Sequence, residues 1–321
     1  MKQFRRSIRF AVLAGACCFL PSLSKAQYFW DIGINTGAAN YLGDMGGNEL
    51  TRRDFVSDMK LTQTHTYVGG FVRYKCSPSL SVKTNIGWAR ISGDDKLSSN
   101  AGRNGRNLNF RNDVVEATAQ LQYFFYEIFD LGHTYRNVNS FRAYIGLGAG
   151  AAYHNPKTEY NGQMVALRPL TTEGHRYSKV VAVVPASAGF YFTFNKKYRI
   201  GWDLTWRTTF TDYLDDVSSV YANPASLPSP LSAELANRTD ELSNLPRGFS
   251  ENYTPGSKRG DNSHNDSYLT SSVDFSYVIR GHSAFWRPNH SWIDERKHPD
   301  KFNGPGKTRP HLLVRKIRVH W

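Results

Sequence analysis

The chain has almost no cysteine and no long apolar run. Three cysteines occur in 321 residues, and two of them, Cys17 and Cys18, lie close to the N-terminus. If that segment is removed, Cys76 alone remains and an internal disulfide is excluded. An exported fold of this length must then be held by burial or by a closed hydrogen-bond ladder. No run of 18 or more apolar residues exists, which excludes a membrane-spanning helix after processing. Acidic residues are scarce too: 27 Asp and Glu stand against 40 Lys and Arg, a net charge of +13. For an exported chain, the expected counterparts of that charge are anionic lipid or acidic protein surfaces rather than nucleic acid.

What is present begins with export. Lys2, Arg5, Arg6 and Arg9 precede "FAVLAGACCFL", and Ser24-Lys25-Ala26 forms a small-x-small site before Gln27. These features read as a secretory signal peptide over residues 1–26. Its removal lowers the net charge to +8. "LAGAC" loosely resembles a lipobox that would lipidate Cys17; ordinary apolar residues of the signal core are the simpler reading.

Eight stretches alternate with period two, the spacing of a half-buried strand. They are residues 30–37, 66–75, 79–89, 114–125, 142–154, 182–195, 199–210 and 269–280. In "SLSVKTNIGWA" (79–89), Leu80, Val82, Thr84, Ile86 and Trp88 share one face, and Ser81, Lys83 and Asn85 the other. Most of the stretches have about the 9–11 residues that a tilted strand needs to cross a bilayer. Segments 76–79 and 195–197 are tight turns, 126–139 is intermediate, and 45–64, 92–112, 155–178 and 211–266 are long and polar. Short turns at one end and long loops at the other are the topology of an outer-membrane barrel.

The polar faces carry Arg73, Lys75, Lys83, Glu116, Asp203, Arg207 and Asp274 among many glycines, which suits a narrow interior where charges pair. The apolar faces carry Trp30, Tyr74, Trp88, Tyr123, Tyr153, Trp202 and Phe210 near strand ends, where aromatic girdles meet the membrane interfaces. A soluble sandwich or lipocalin-like barrel also alternates, but with shorter strands and polar faces richer in Lys and Glu. The expected fold is therefore all-β: an eight-stranded antiparallel transmembrane barrel over residues 27–280, with long external loops. A basic tail follows over 281–321, read as periplasmic. Its terminal "KIRVHW" leaves ten strands as an alternative. In the lumen Lys83 needs a carboxylate, and Glu116 on the next strand is the expected partner.

"NYLGD" (40–44), "RISGDD" (90–95), "RNLNFRNDVVEATAQLQYFF" (106–125) and "FTDYLDDVS" (210–218) occur in this order. Together they resemble the PorG-like family of outer-membrane barrel proteins of the type IX secretion system, over residues 28 to about 280. The resemblance implies a small barrel without enzymatic activity, associated with a periplasmic PorK–PorN-type ring and coupling it to the membrane. It implies no cofactor and no small-molecule substrate; outer-membrane lipid and the ring subunits are the expected partners.

The charges around these motifs suggest a structural cap on the barrel mouth. Asp44, Asp94, Asp95, Asp215 and Asp216 would meet Arg90, Arg103, Arg106 and Arg111 in charge-assisted pairs. A divalent cation on the aspartates is an alternative, although their spacing matches no known loop. Glu173, His175 and Ser178 in "TEGHRYS" keep a lipid-modifying barrel enzyme in view, and the long 211–266 segment an adhesin. Sequence proximity, however, is not triad geometry. The five histidines after residue 281 follow no zinc-ligand spacing.

Overall fold

A computed structural model describes residues 30–45, 61–98, 100–128, 139–242 and 253–279. The N-terminal segment and the 281–321 tail lie outside the described residues. Eight long strands form the barrel wall: β1 (Trp30–Leu42), β2 (His65–Lys75), β3 (Leu80–Asp94), β4 (Asn109–Ile128), β5 (Ser140–Tyr153), β8 (Val180–Phe194), β9 (Tyr198–Thr209) and β10 (Ser267–Ile279). Each pairs antiparallel with its neighbours. The β3–β4 ladder and the first-to-last pairing of β1 with β10, from Trp30↔Ile279 to Leu42↔Ser267, complete the ring. Closure pairs each of the eight wall strands on both sides.

The orientation of the faces identifies the solvent. Ile34, Ile86 and Leu147 point outward and are 60%, 65% and 62% exposed, while Asp31, Arg73, Lys83, Glu116, Asp203, Arg207 and Asp274 point inward and are buried. Water would drive the reverse arrangement, because a continuous exposed apolar wall is unstable in it. Lipid favours this one, and the protein is a transmembrane β-barrel. Aromatics mark both rims. Trp30 packs on Tyr74 at the short-turn end, with ring centroids 4.6 Å apart, and Trp88, Tyr153 and Phe210 lie toward the long-loop end. Trp202 sits lower on the wall, beside Phe190.

The short connections are tight. In the β8–β9 turn the Lys197 N–H donates to the Phe194 carbonyl at 3.0 Å, and Asn195 and Lys196 have φ of 50° and 55°. The long loops all emerge at the opposite end, and several strands continue into them beyond the alternating stretches. β1 runs on through Asn40-Tyr41-Leu42, and β4 begins at Asn109. There both faces are covered by loop, so the period-two signal fades. The segment 155–178 also holds a hairpin, β6 (Lys157–Tyr160) and β7 (Gln163–Ala166), attached to β4 through Arg111↔Lys157. Its turn is Asn161-Gly162, both at positive φ. Asn-Gly is the preferred pair for such a two-residue turn and was the available signal.

The lipid-facing assignment has a direct test. Ile86→Arg should lower the unfolding free energy by about 2–4 kcal/mol if it lies near the midplane, measured by denaturant titration in lipid vesicles.

Candidate functional site

Two layers of charge shape what the barrel can do: one inside the wall and one over its mouth. Within the wall, four carboxylates (Asp31, Glu116, Asp203, Asp274) meet four cations (Arg73, Lys83, Arg199, Arg207). From the short-turn end, Arg199 pairs with Asp31 at 2.7 Å, Arg73 bridges Asp31 and Asp274, and Lys83 Nζ reaches Asp274 at 2.7 Å and Asp203 at 3.3 Å. Tyr144 donates to Asp203 at 2.5 Å. Higher up, Arg207 pairs with Glu116 at 2.5 Å, and Tyr268 donates to the same carboxylate. Tyr67 Oη accepts from Asn85 and Arg207 and donates to Glu116.

The pair expected between Lys83 and Glu116 does not form. On β4 the residue opposite Lys83 is Gln120, while Glu116 stands opposite Gly87, four residues or about 13 Å along the strand. Lys83 instead reaches across the lumen to β9 and β10. Glycine makes room for the tyrosines of this layer: a methyl on Gly87 of β3 would lie 2.8 Å from Tyr67 Oη, and one on Gly189 of β8 2.7 Å from Tyr144 Oη. A cavity of about 10 Å³ between Tyr67, Lys83, Asn85, Asp203 and Arg207 is room for roughly one water. Below it, Phe124, Tyr144 and Tyr191 form an aromatic floor, with the Arg73 guanidinium 4.8 Å from the Tyr191 ring.

The mouth at the long-loop end is covered by a cap knotted on two buried arginines. Arg106 closes the short helix α1 (Ala101–Arg106), whose first turn is capped by Asn100. Its guanidinium holds Asp95 bidentately at 2.7 and 2.9 Å and donates to the carbonyls of Arg259 (2.6 Å) and Asp44 (3.0 Å). Asp44 in turn accepts the Asp261 N–H at 2.5 Å. Arg259 pairs with Glu173 at 2.7 Å and donates to the carbonyls of Asp216 and Ala236. Ala236 ends the second helix, α2 (Pro230–Ala236). Glu173 also accepts the N–H groups of Ser218 and Ser219. These contacts join all four long connections. The hairpin is tied in by Arg238, which pairs with Glu241 and donates to Thr158.

Titration of the cap groups runs in two directions. Burial, reinforced by Asp266 and Asp44, pushes the Asp215 carboxyl well above its ordinary 3.8. Geometry asks for a proton on one of the two carboxyls around Tyr41 as well. Tyr41 Oη lies 2.7 Å from both Asp215 Oδ2 and Asp266 Oδ1 and accepts the Asp44 N–H. One hydroxyl proton serves one carboxylate, so the second contact needs a proton from a carboxyl. Burial also pushes Asp216 up to about 6, against the pull of Arg259 and of hydrogen bonds from Thr172 and Tyr177. For Glu173, burial acts upward, but Arg259 and the Ser218 N–H more than offset it and hold the carboxyl below its ordinary value. His154, fully buried and stacked near Tyr177, is pushed down to about 4 by burial and is neutral.

Of the residues expected in the cap, Asp44, Asp95, Arg106, Asp215 and Asp216 are brought together. Four are not. Asp94 caps the following turn by accepting the Lys96 N–H. Arg111 points outward toward Asp113 at 3.9 Å, as does Arg90 at 2.7 Å. Arg103, on the part-exposed side of α1, makes none of the cap's ion pairs. Sequence reasoning missed Arg259, Tyr41 and Asp266, which lie in segments without periodicity, and gave Glu173 a different role. Ser178 donates to the Val180 carbonyl and Glu173 is held by Arg259, so these two are not assembled as a catalytic pair. Among the described residues, no three His, Cys, Asp or Glu side chains are placed to hold a metal ion.

A family described as a domain of unknown function, DUF6089, matches residues 10–227, from the N-terminal segment through β9 into the cap. The chain belongs to the DUF6089 family. No curated protein matches it in sequence. Several solved structures are similar to it, among them that of the outer membrane protein OprG. One is Ail, the attachment invasion locus protein of Yersinia pestis, in complex with the heparin analogue sucrose octasulfate, at 10% identity, covering 78% of this chain and 99% of that one, TM-score 0.32. Another is OprG of Pseudomonas aeruginosa, at 12% identity, covering 80% and 99%, TM-score 0.36. A third is CarO of Acinetobacter baumannii, at 12% identity, covering 79% and 100%, TM-score 0.24. At these identities and scores the likeness bears on neither ligand nor partner.

Two measurements test the charge layers. In a double-mutant cycle, Lys83→Met with Asp274→Asn should show a coupling of about 0.5–3 kcal/mol, while Lys83→Met with Glu116→Gln should add to within about 0.5 kcal/mol. For the cap, the folded state keeps the Asp215 proton where the unfolded chain has lost it. That contribution is fullest below pH 3.8 and is lost as pH rises toward the folded value. Asp215→Asn should therefore slow proteolysis of the loops at pH 8 and flatten its pH dependence.

Proposed function

We propose that this protein is a non-enzymatic outer-membrane component of the type IX protein secretion machinery. It reaches the membrane through a signal peptide cleaved after Ala26 and anchors a periplasmic PorK–PorN-type ring. The observation that carries the reading is the convergence of the motifs. "NYLGD" supplies Tyr41 and Asp44, "RISGDD" supplies Asp95, and "FTDYLDDVS" supplies Asp215 and Asp216, all to one knot over the barrel. Segments that resemble the PorG-like family are thus the staples of the fold. A lumen filled by paired charges favours anchorage over conduction, because its work is done at the two ends.

A second reading, a surface interaction barrel, draws support from the cap: its buried arginines pre-organise an external surface, and an ordered surface binds at lower entropic cost. A strain lacking the protein separates the two. The secretion reading expects loss of type IX cargo export and co-purification of ring subunits after crosslinking of outer membranes. Intact export in that strain would sink it and favour the surface reading.

A further inference from the structure

At the short-turn end, the inward positions nearest the mouth are Lys75 on β2, Arg142 on β5 and Arg199 on β9. Arg142 pairs with Glu127, and Arg199 with Asp31. Lys75 is half-buried, its charged neighbours are Arg142, Arg199 and Glu127, and it makes no ion pair with a described residue. One layer deeper, Arg73 Nε is buried without an acceptor, as is Arg199 Nε. Arg142 Nη1 is a further buried donor without an acceptor, against the single buried acceptor Glu127 Oε1. Among the described residues donors and positive charge therefore exceed acceptors at this mouth, and a half-buried ammonium beside two guanidiniums is disfavoured unless an anion joins it.

The rim adds to the excess. Lys196 and Lys197, both exposed, form the β8–β9 turn immediately before Arg199. Lys196 takes a φ of 55°, where a two-residue hairpin turn is relaxed with glycine. A lysine held in that strained position presents its charge at the mouth. The geometry also selects the class of anion. Lipid head groups surround the outer wall, where Trp30, Tyr74, Tyr198 and Tyr277 lie, whereas Lys75, Arg142 and Arg199 face the barrel axis. A ligand that enters along the axis from the aqueous side meets them; a phosphate fixed in the bilayer does not.

We propose that the short-turn mouth is a docking site for an acidic peptide segment of a periplasmic protein. Lys75 receives a carboxylate beside Arg142 and Arg199, and Lys196 and Lys197 steer the segment in. The choice of a periplasmic partner rests on the anchoring reading above; the excess of cations does not. Charge-assisted hydrogen bonds at a partly desolvated mouth hold the segment, and the rim lysines act mainly on the association rate.

The test uses the full chain in nanodiscs of neutral phosphatidylcholine, with a fluorescent peptide rich in Asp and Glu and its Asn/Gln counterpart, read by anisotropy. The acidic peptide should bind and the neutral one should not. Lys75→Gln should weaken binding about tenfold or more and Lys75→Arg should restore it, while Lys196→Asn with Lys197→Asn should slow association and flatten its salt dependence. Resistance of each variant's barrel to proteolysis controls for folding. Equal binding of the two peptides, or Lys75→Gln binding as tightly as the parent, overturns the proposal. So does competition by inorganic phosphate at the same concentration as the peptide, which marks a site for any free anion. Export in the deletion strain is scored separately. Lost export with no peptide binding overturns this proposal alone, and intact export with binding present overturns the anchoring reading alone.

Discussion

A charge placed inside an eight-stranded barrel has almost no water to solvate it, and the structure is organised around meeting that demand. Lys83 reaches Asp274 at 2.7 Å and Asp203 at 3.3 Å, and Arg207 reaches Glu116 at 2.5 Å. Each removed partner would leave an uncompensated ion in a space of low polarity, at a cost of about 3–5 kcal/mol. The pairings also fix the shape of the wall. Long side chains fill the lumen, Gly87 and Gly189 yield space to Tyr67 and Tyr144, and the ladder of ions leaves room for about one water.

The same demand governs the cap. Arg106 and Arg259 are buried, like the ions of the lumen, and a guanidinium brings five donors that the protein must satisfy. They are satisfied by backbone carbonyls and carboxylates from separate loops, which is why the four long connections form one body. Lumen and cap thus follow one rule: arginine and lysine impose order because leaving them unpaired is expensive.

How much of this was legible in the sequence depended on where periodicity survived. Along Leu80–Trp88, one face meets lipid and the other the lumen, so alternation named the strand and its orientation. Above the membrane both faces of Asn40-Tyr41-Leu42 are covered, the contrast disappears, and alternation stops short of the strand end. The hairpin around Asn161-Gly162 carried a turn signal that a broad polar segment obscured. Lys83 shows a different limit. Neighbouring-strand reasoning offered Glu116, but register places that residue opposite Gly87, and the true partners lie on β9 and β10 across the lumen. Contacts across a lumen depend on closure, which no local pattern encodes. Five of the nine cap residues came together because clustered opposite charges beside strand ends do report a local need for pairing; Arg259 lies in "SKRGD", eight residues before β10 and away from any strand end.

The seam between β1 and β10 sets the order in which the molecule can be made. Ser276 donates to Asp31 across 245 positions, and Tyr41 donates to Asp266 across 225. A ring whose first and last staves must meet stays open until the whole wall has been delivered. The loop-closure entropy of that final pairing is borne late, when most other contacts are in place. Tyr41 and its carboxylates lie at one end of this seam, and Asp31 with Ser276 and Arg199 at the other. The two clusters are clasps at the two ends of the joint whose strands lie farthest apart in the chain.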